Sequence, residues 1–170
     1  LKESGKTYST EVNDLLITAL SNSLFDVTGN SVNYIILEGH GRQEEISDGK
    51  LDISRTLGWF TTMYPVRLEA FNELGNTIKY TKELLRRVPN KGVGFGAIMG
   101  YDPKTLPKIS FNYLGQLDQG AHEDVEDDKP WSILNEIIGT AVNPLNNDQN
   151  IININGFVLG HRLQFNVASK

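Results

Sequence analysis

The stretch that decides the fold is residues 32–42, which read VNYIILEGHGR. The first six residues are mostly β-branched, aromatic or aliphatic, a composition typical of a buried strand. The next five include two glycines, which do not continue a strand comfortably. The sequence therefore predicts a strand over residues 32–37 that delivers a carboxylate, Glu38, directly at its end.

Amphipathic helices are predicted on both sides of this strand. Upstream, apolar residues recur at three- and four-residue steps over residues 11–27, with Ser9 or Thr10 available as an N-cap and Gly29 as a stop. Downstream, a second helix is predicted over about residues 72–87. Its basic residues lie near its end, where they suit the negative pole of the helix dipole.

Further strands complete the predicted architecture. Strand composition is found at residues 59–68, 93–99, 108–114, 151–158 and 162–167. The last two form a predicted hairpin that reverses near Gly160, with Asn155-Gly156 as a rival turn site, and Pro65 suggests an edge or a break. Together these elements indicate a two-layer mixed α/β sandwich, with helices on one face of a largely antiparallel or mixed sheet.

The composition excludes several classes of function. The 170 residues are 39% hydrophobic, contain no cysteine and carry a formal net charge of −5. Without cysteine there are no disulfides or thiolate metal sites, and the acidic balance argues against general binding to nucleic acid. The histidines, His40, His122 and His161, have no metal-ligand spacing. We therefore expect neither a metal nor nucleic acid as a partner.

The ends and the hydropathy of the chain indicate its setting. It starts at Leu1 without an initiator Met, and it has no apolar run near the roughly 18 residues of a membrane span. We expect a fragment of a longer, cytoplasmic protein with no membrane partner. The small basic cluster Lys82, Arg86, Arg87 and Lys91 reads as a solvated helix end, or as a modest docking surface for an acidic partner.

Four separated stretches resemble successive core motifs of the epimerisation domains of nonribosomal peptide synthetases: EGHGR at 38–42, RTLGWFTTMYP at 55–65, VPNKGVGFG at 88–96 and FNYLGQLD at 111–118. The residues VNDLL at 12–16 resemble a fifth. The resemblance implies the condensation-domain superfamily and its chloramphenicol-acetyltransferase-like fold. It also implies an epimerase that inverts the α-carbon of a carrier-bound aminoacyl or peptidyl thioester.

The same resemblance implies a two-lobed domain whose amino-terminal lobe carries a His-His-x-x-x-Asp motif, and this sequence has no such motif. We therefore expect residues 1–170 to be the carboxy-terminal lobe, inactive without the absent amino-terminal lobe. A peptidyl carrier domain is the other expected partner. It would supply the phosphopantetheine arm, so no cofactor is expected to bind this chain directly.

Glu38 is the first candidate for acid/base catalysis. Inverting an α-carbon means removing a weakly acidic proton beside a thioester carbonyl, returning one to the opposite face, and stabilising an enolate-like oxygen. Partial burial after the apolar run should raise the pKa of the Glu38 carboxyl toward the working range. The resemblance also places the family's catalytic glutamate at this position.

Asn112 and Tyr113 are the other candidate catalytic residues, because the resemblance associates their motif with the active site. As neighbours on a strand they should face opposite sides, unless a bulge or strand end near Gly115 redirects one of them. The Asn112 amide suits orienting a carbonyl or a catalytic group. Tyr113 lies on the same side of the strand as Phe111, so the alternative that Tyr113 is an ordinary core aromatic stays open.

Supporting roles are predicted for His40, Arg42 and Trp59. We expect His40 to be packed or hydrogen-bonded within its Gly-rich turn, Arg42 to pair with a carboxylate, and Trp59 to be a core or channel-wall aromatic. The glycines of residues 92–96 favour close backbone packing over a phosphate-binding loop, because the Lys-Ser/Thr ending of such a loop is missing.

Two other functions stay open. A condensation domain would form an amide bond on the same fold, and a non-catalytic lobe would only recruit carrier proteins. The combination of the EGHGR and FNYLGQ motifs favours epimerisation over condensation, and the non-catalytic lobe stays open because half a site can bind without turning over.

Overall fold

The computed structural model describes residues 5, 7–102, 104–117, 139, 143, 145, 146 and 148–170. Its helices are α1 (Val12–Thr28), α2 (Leu74–Arg86) and the short α3 (Phe95–Met99). Its strands are β1 (Val32–Gly39), β2 (Thr62–Glu69), β3 (Ile109–Gln116), β4 (Ile152–Leu159) and β5 (Arg162–Ser169). Two 3₁₀ turns occupy Glu44–Ser47 and Pro89–Gly92. The acidic run at residues 122–128, with His122, and the last motif residue, Asp118, lie outside the described residues.

The strands form one five-stranded sheet in the order β2-β1-β3-β4-β5. β1 is antiparallel to β2 and parallel to β3, β3 is parallel to β4, and β4 is antiparallel to β5. The predicted mixed sheet is confirmed. Because β1 and β3 run parallel, their carboxyl ends meet at one edge of the sheet, the usual place for a ligand site in an α/β sheet.

The core lies between the helices and one face of this sheet. Its fully or nearly buried members come from α1, β1, β2 and β3: Leu16, Ile17, Leu24, Ile35, Leu37, Val66, Leu68 and Phe111. Leu84 and Leu85 of α2 pack against them. By the two-residue period of a strand, Leu37 faces the helices and Glu38 faces the other side.

The predicted bounds of α1 are confirmed, but its predicted cap is wrong. The N-cap is Glu11, whose backbone N–H donates to Oδ2 of Asp14 over 2.9 Å, and the helix ends at Gly29 with φ at 71°. The carbonyl of Ser9 instead accepts from Nη2 of Arg86 over 3.0 Å. Lys82 likewise donates from Nζ to the carbonyl of Tyr8 over 2.7 Å, so two of the four clustered cations hold the segment before α1.

The strand predicted over residues 93–99 is wrong, because this segment contains the helix α3. Gly94 and Gly100 bound it with positive φ of 89° and 73°, a backbone conformation that interrupts a regular strand. The expectation of close packing at the glycines is confirmed at Gly96, where a Cβ atom would collide with the ring of Tyr101. The glycines of this segment therefore turn the chain instead of extending it.

The remaining strand predictions hold with shifted bounds. The segment predicted from residue 59 becomes a strand only at Thr62, and Pro65 lies in the edge strand β2, as a proline in a sheet should. The β4–β5 hairpin is confirmed. It reverses at Gly160 and His161, with φ of 57° and 59°, and the rival turn at 155–156 lies inside β4.

Candidate active site

Glu38 and Asn112 meet at the carboxyl ends of β1 and β3. The parallel register pairs Ile36 with Ser110 and Leu37 with Phe111, so the next positions along the two strands are Glu38 and Asn112. Their side chains therefore project from the same face. Nδ2 of Asn112 donates a hydrogen bond to Oε2 of Glu38 over 2.9 Å.

The Glu38 carboxyl has an electrostatic setting that suits a base. It is half-buried, and the loss of hydration on burial raises its pKa. The hydrogen bond from Asn112 stabilises the charged form and so limits that rise. A carboxylate with a raised pKa accepts a proton more readily, while the amide keeps it in one orientation.

A cavity of about 600 Å³ opens beside this pair. Four of the six predicted site residues line it: Glu38, His40, Asn112 and Tyr113. Its other walls come from the start of α1, the end of α2, the three strands β1, β2 and β3, and neighbouring loop residues: Glu11, Asn13, Asp14, Gly39, Thr61, Tyr64, Leu85, Arg86, Val88, Lys91 and Leu114. The structure thus brings the predicted catalytic residues together, and their roles remain predictions.

Asn112 and Tyr113 line the same cavity although they are sequence neighbours. The register of β3 against β4 shifts between Tyr113 and Gln116, and Gly115 has φ at 82°. The strand is therefore irregular near Gly115, where the sequence allowed a bulge or a strand end to redirect one of the two side chains. Tyr113 also packs against the core with Phe111, so it is both a core aromatic and part of the cavity wall.

His40 lies in the Gly-rich turn and is hydrogen-bonded there, as predicted. Its Nδ1 accepts from the backbone N–H of Arg42 over 3.0 Å, and its Nε2 lies 3.0 Å from the side-chain amide of Gln43. His40 thereby shapes the turn that follows Glu38.

Arg42 pairs with no carboxylate among the described residues, and its predicted ion pair stays a prediction. Its guanidinium donates from Nη1 to the carbonyl of Ile53 over 2.6 Å and from Nη2 to that of Thr56 over 2.7 Å. It also lies 4.2 Å from the ring centroid of Phe60. A planar group with several donors suits two carbonyls and an aromatic face at once, and here it closes the loop between β1 and β2.

Trp59 lies in that loop with 91% of its surface exposed and does not line the cavity. The interpretation of Trp59 as a core aromatic is wrong for this chain, because the strand begins three residues later and leaves the indole without a partner face. A role in a channel wall formed with another part of the protein stays a prediction.

Tyr64, Asn13 and Lys91 line the cavity but were not among the predicted site residues. All three lie within the family motifs, at positions whose chemistry the sequence left unassigned. Asn13 has a buried Oδ1 with no hydrogen-bond partner in the described part of the chain. The sequence signal that could have identified these residues was their polar character inside the motifs. Only the packing of α1 and β2 beside β1 shows which polar motif residues face the cavity.

Neither a metal centre nor a membrane span is found in the described residues. No three of their His, Asp or Glu side chains converge so that they could hold a metal ion. None of their helices is long and apolar enough to cross a membrane.

The sequence profile of the condensation domain matches residues 1–166. The chain belongs to the condensation-domain family. Relatives within synthetases include bacitracin synthase 1 from Bacillus licheniformis, 41% identical over 164 residues, and N-(5-amino-5-carboxypentanoyl)-L-cysteinyl-D-valine synthase from Amycolatopsis lactamdurans, 44% identical over 127 residues. These matches cover 92% and 74% of this chain but only 3% of each relative. The chain is therefore a small part of the length of the synthetases that it matches.

Solved members of the family show the same fold. The epimerization domain from the third module of tyrocidine synthetase B is 33% identical with a TM-score of 0.80, covering 96% of this chain and 37% of that one. The condensation domain of the monacolin K polyketide synthase is 17% identical with a TM-score of 0.65, covering 99% and 38%. These likenesses confirm the resemblance and the fold predicted from the sequence.

Proposed function

We propose that this chain supplies one wall of an epimerase active site, in which Glu38 removes or returns the α-proton of a carrier-bound aminoacyl or peptidyl thioester. The observation that carries the proposal is the Glu38–Asn112 pair, because it places one oriented, half-buried carboxylate in a cavity large enough for a reacting group. Among the described residues, only Asn112 donates a side-chain hydrogen bond to this carboxylate. One of its oxygens is therefore available to the substrate.

The reaction needs a second proton donor or acceptor on the opposite face of the α-carbon. His40, the histidine that lines the described cavity, is committed to its own turn and is not free for this task. The chain spans 37% of the solved epimerization domain that it resembles. We infer that the second group comes from another part of the full-length protein, in keeping with the histidine motif that the resemblance places on the amino-terminal lobe.

The likeness to solved structures supports epimerisation over condensation. Identity to the epimerization domain of tyrocidine synthetase B is 33%, whereas it is 17% to the condensation domain described above and 11% to the first condensation domain of the CDA synthetase. The likenesses at 17% and 11% identity show a shared fold and nothing finer. The expected partner is a carrier domain whose phosphopantetheine arm brings the thioester into the cavity.

The test is an assay of the full-length protein with a substrate-loaded carrier domain in deuterated water. Deuterium at the α-carbon together with a mixture of D and L products supports the epimerase. Amide formation with an acceptor would support a condensation domain, and carrier binding with neither reaction would support a docking lobe. Either of the last two results would overturn the proposal.

A further inference from the structure

Tyr64 forms a rigid part of the cavity wall next to Glu38. It pairs across β1 and β2 with Leu37, the residue that precedes Glu38. Its ring lies against the bare backbone of Gly92, where a Cβ atom would collide with Cδ1. The ring is also packed against the core, so its position is fixed from two sides.

Because Tyr64 pairs with Leu37, its ring lies on the helix-facing side of the sheet, and its hydroxyl end points toward the end of β1, where Glu38 leaves the opposite face. A methyl group added at Gly39, the residue after Glu38, would lie 3.7 Å from Cε1 of Tyr64, the ring atom next to the hydroxyl-bearing carbon. Tyr64 lines the same cavity as Glu38 and Asn112. Within the described part of the chain its hydroxyl has no hydrogen-bond partner, and it is not one of the buried polar atoms left unpaired, so it is accessible to a molecule in the cavity.

The phenol is suited to remain a neutral donor. Burial raises the pKa of Tyr64, so the group stays protonated across the range in which a carboxylate base works. The amide N–H of Asn112 is already engaged with Glu38. Another donor is therefore needed where negative charge develops on the substrate, and the Tyr64 hydroxyl is a donor on the cavity wall without an assigned partner.

We propose that Tyr64 is a catalytic residue that donates a hydrogen bond to the thioester carbonyl oxygen of the substrate. The inference rests on the proposed epimerase function. As Glu38 takes the α-proton, the electron pair of the C–H bond forms the Cα–C double bond, and the carbonyl π electrons move onto the oxygen. The Tyr64 hydroxyl stabilises this enolate without transferring its proton. Protonation at the opposite face then restores the thioester with inverted configuration.

The test is Tyr64→Phe in the full-length protein, measured by α-deuterium exchange on a carrier-bound substrate. Loss of one donor to a developing oxyanion typically lowers kcat on the order of 10²-fold, and we expect KM to change little, because the bond strengthens only in the transition state. The matched control is Tyr34→Phe, a residue on β1 that is 56% exposed and outside this cavity. It should keep the parent rate.

Two further measurements separate catalysis from packing. Phe retains the ring, so the Tm of the variant should match that of the parent. Replacement of Tyr64 by 3-fluorotyrosine keeps the hydroxyl but makes it a more acidic donor, and the exchange rate should change although the fold does not. An unchanged rate with fluorotyrosine, or a parent-like kcat for Tyr64→Phe, would overturn the inference, as would a raised KM at constant kcat. Absence of exchange in the parent protein would instead remove the proposed function itself.

Discussion

The side-chain amide of Asn112 donates to the carboxylate of Glu38 over 2.9 Å, across two parallel strands and a sequence separation of 74 residues. Parallel pairing makes this contact, because it aligns the carboxyl ends of β1 and β3 at one edge of the sheet. The same edge opens into the cavity that Tyr113 and Tyr64 also line. The pair therefore connects the fold to the proposed chemistry.

Glu38→Gln should abolish epimerisation in the full-length protein. The substitution nearly preserves volume but removes the titratable group, and loss of a general base lowers the rate by about 10²-fold or more. The measurement is deuterium wash-in at the α-carbon of a carrier-bound substrate. The control is Glu69→Gln, at the opposite end of the β1–β2 ladder, which should leave wash-in unchanged. Near-normal wash-in by Glu38→Gln would eliminate Glu38 from the mechanism.

Glu38→Gln should remove one pH-dependent contribution to the stability of the parent chain. Because burial raises the folded-state pKa of Glu38, the folded chain holds a proton that the unfolded chain has already released. Parental stability is thus lost as pH rises from the ordinary carboxyl pKa through the raised one. Relative to Gln, the parent should gain free energy of unfolding on acidification through this window. Urea unfolding at several pH values measures the difference, and a gain with rising pH would contradict it.

Asn112→Ala should move the acid limb of the rate profile to higher pH. The lost hydrogen bond stabilised the charged form of Glu38, so its pKa should rise further and a smaller fraction should be ionised at a given pH. The pH dependence of kcat/KM for α-proton exchange measures the shift. Asn155→Ala, at the position paired with Asn112 on β4, is the control and should leave the limb in place. An unshifted limb in Asn112→Ala would show that the amide does not act through Glu38.

Gly92→Ala should destabilise the chain more than Gly29→Ala. Both glycines have φ in the left-handed region, at 83° and 71°, so both substitutions share a backbone cost of roughly 1–2 kcal/mol. Only at Gly92 would the new Cβ atom collide with the ring of Tyr64, whereas nothing lies within 4 Å of it at Gly29. Overpacking of this kind adds about 1–3 kcal/mol. Chemical denaturation measures the free energy of unfolding of both variants. Equal losses would show that the Tyr64 ring moves aside without an energetic cost.

Local sequence patterns predicted most of the elements but misread the glycine-rich segment. The sequence pattern located α1 because the buried face of a helix repeats apolar residues every three to four positions. It located β1 because a buried strand is a continuous apolar run. It failed at residues 93–99, since a run of apolar residues between glycines fits either a strand or a short turn of helix. The choice is made by the φ of Gly94 and Gly100, which composition does not reveal.

The sequence by itself determined that a carboxylate follows a buried strand, that the chain has the motifs of the condensation-domain family, and that Asn112 and Tyr113 lie on a strand of their own. These properties are local, since each depends on residues within a few positions of one another. Only the tertiary structure decided that Glu38 faces Asn112, that the Arg42 guanidinium binds loop carbonyls, and that Tyr64 borders the same cavity. Such contacts depend on strand order and register, and these are set by burying the whole core at once.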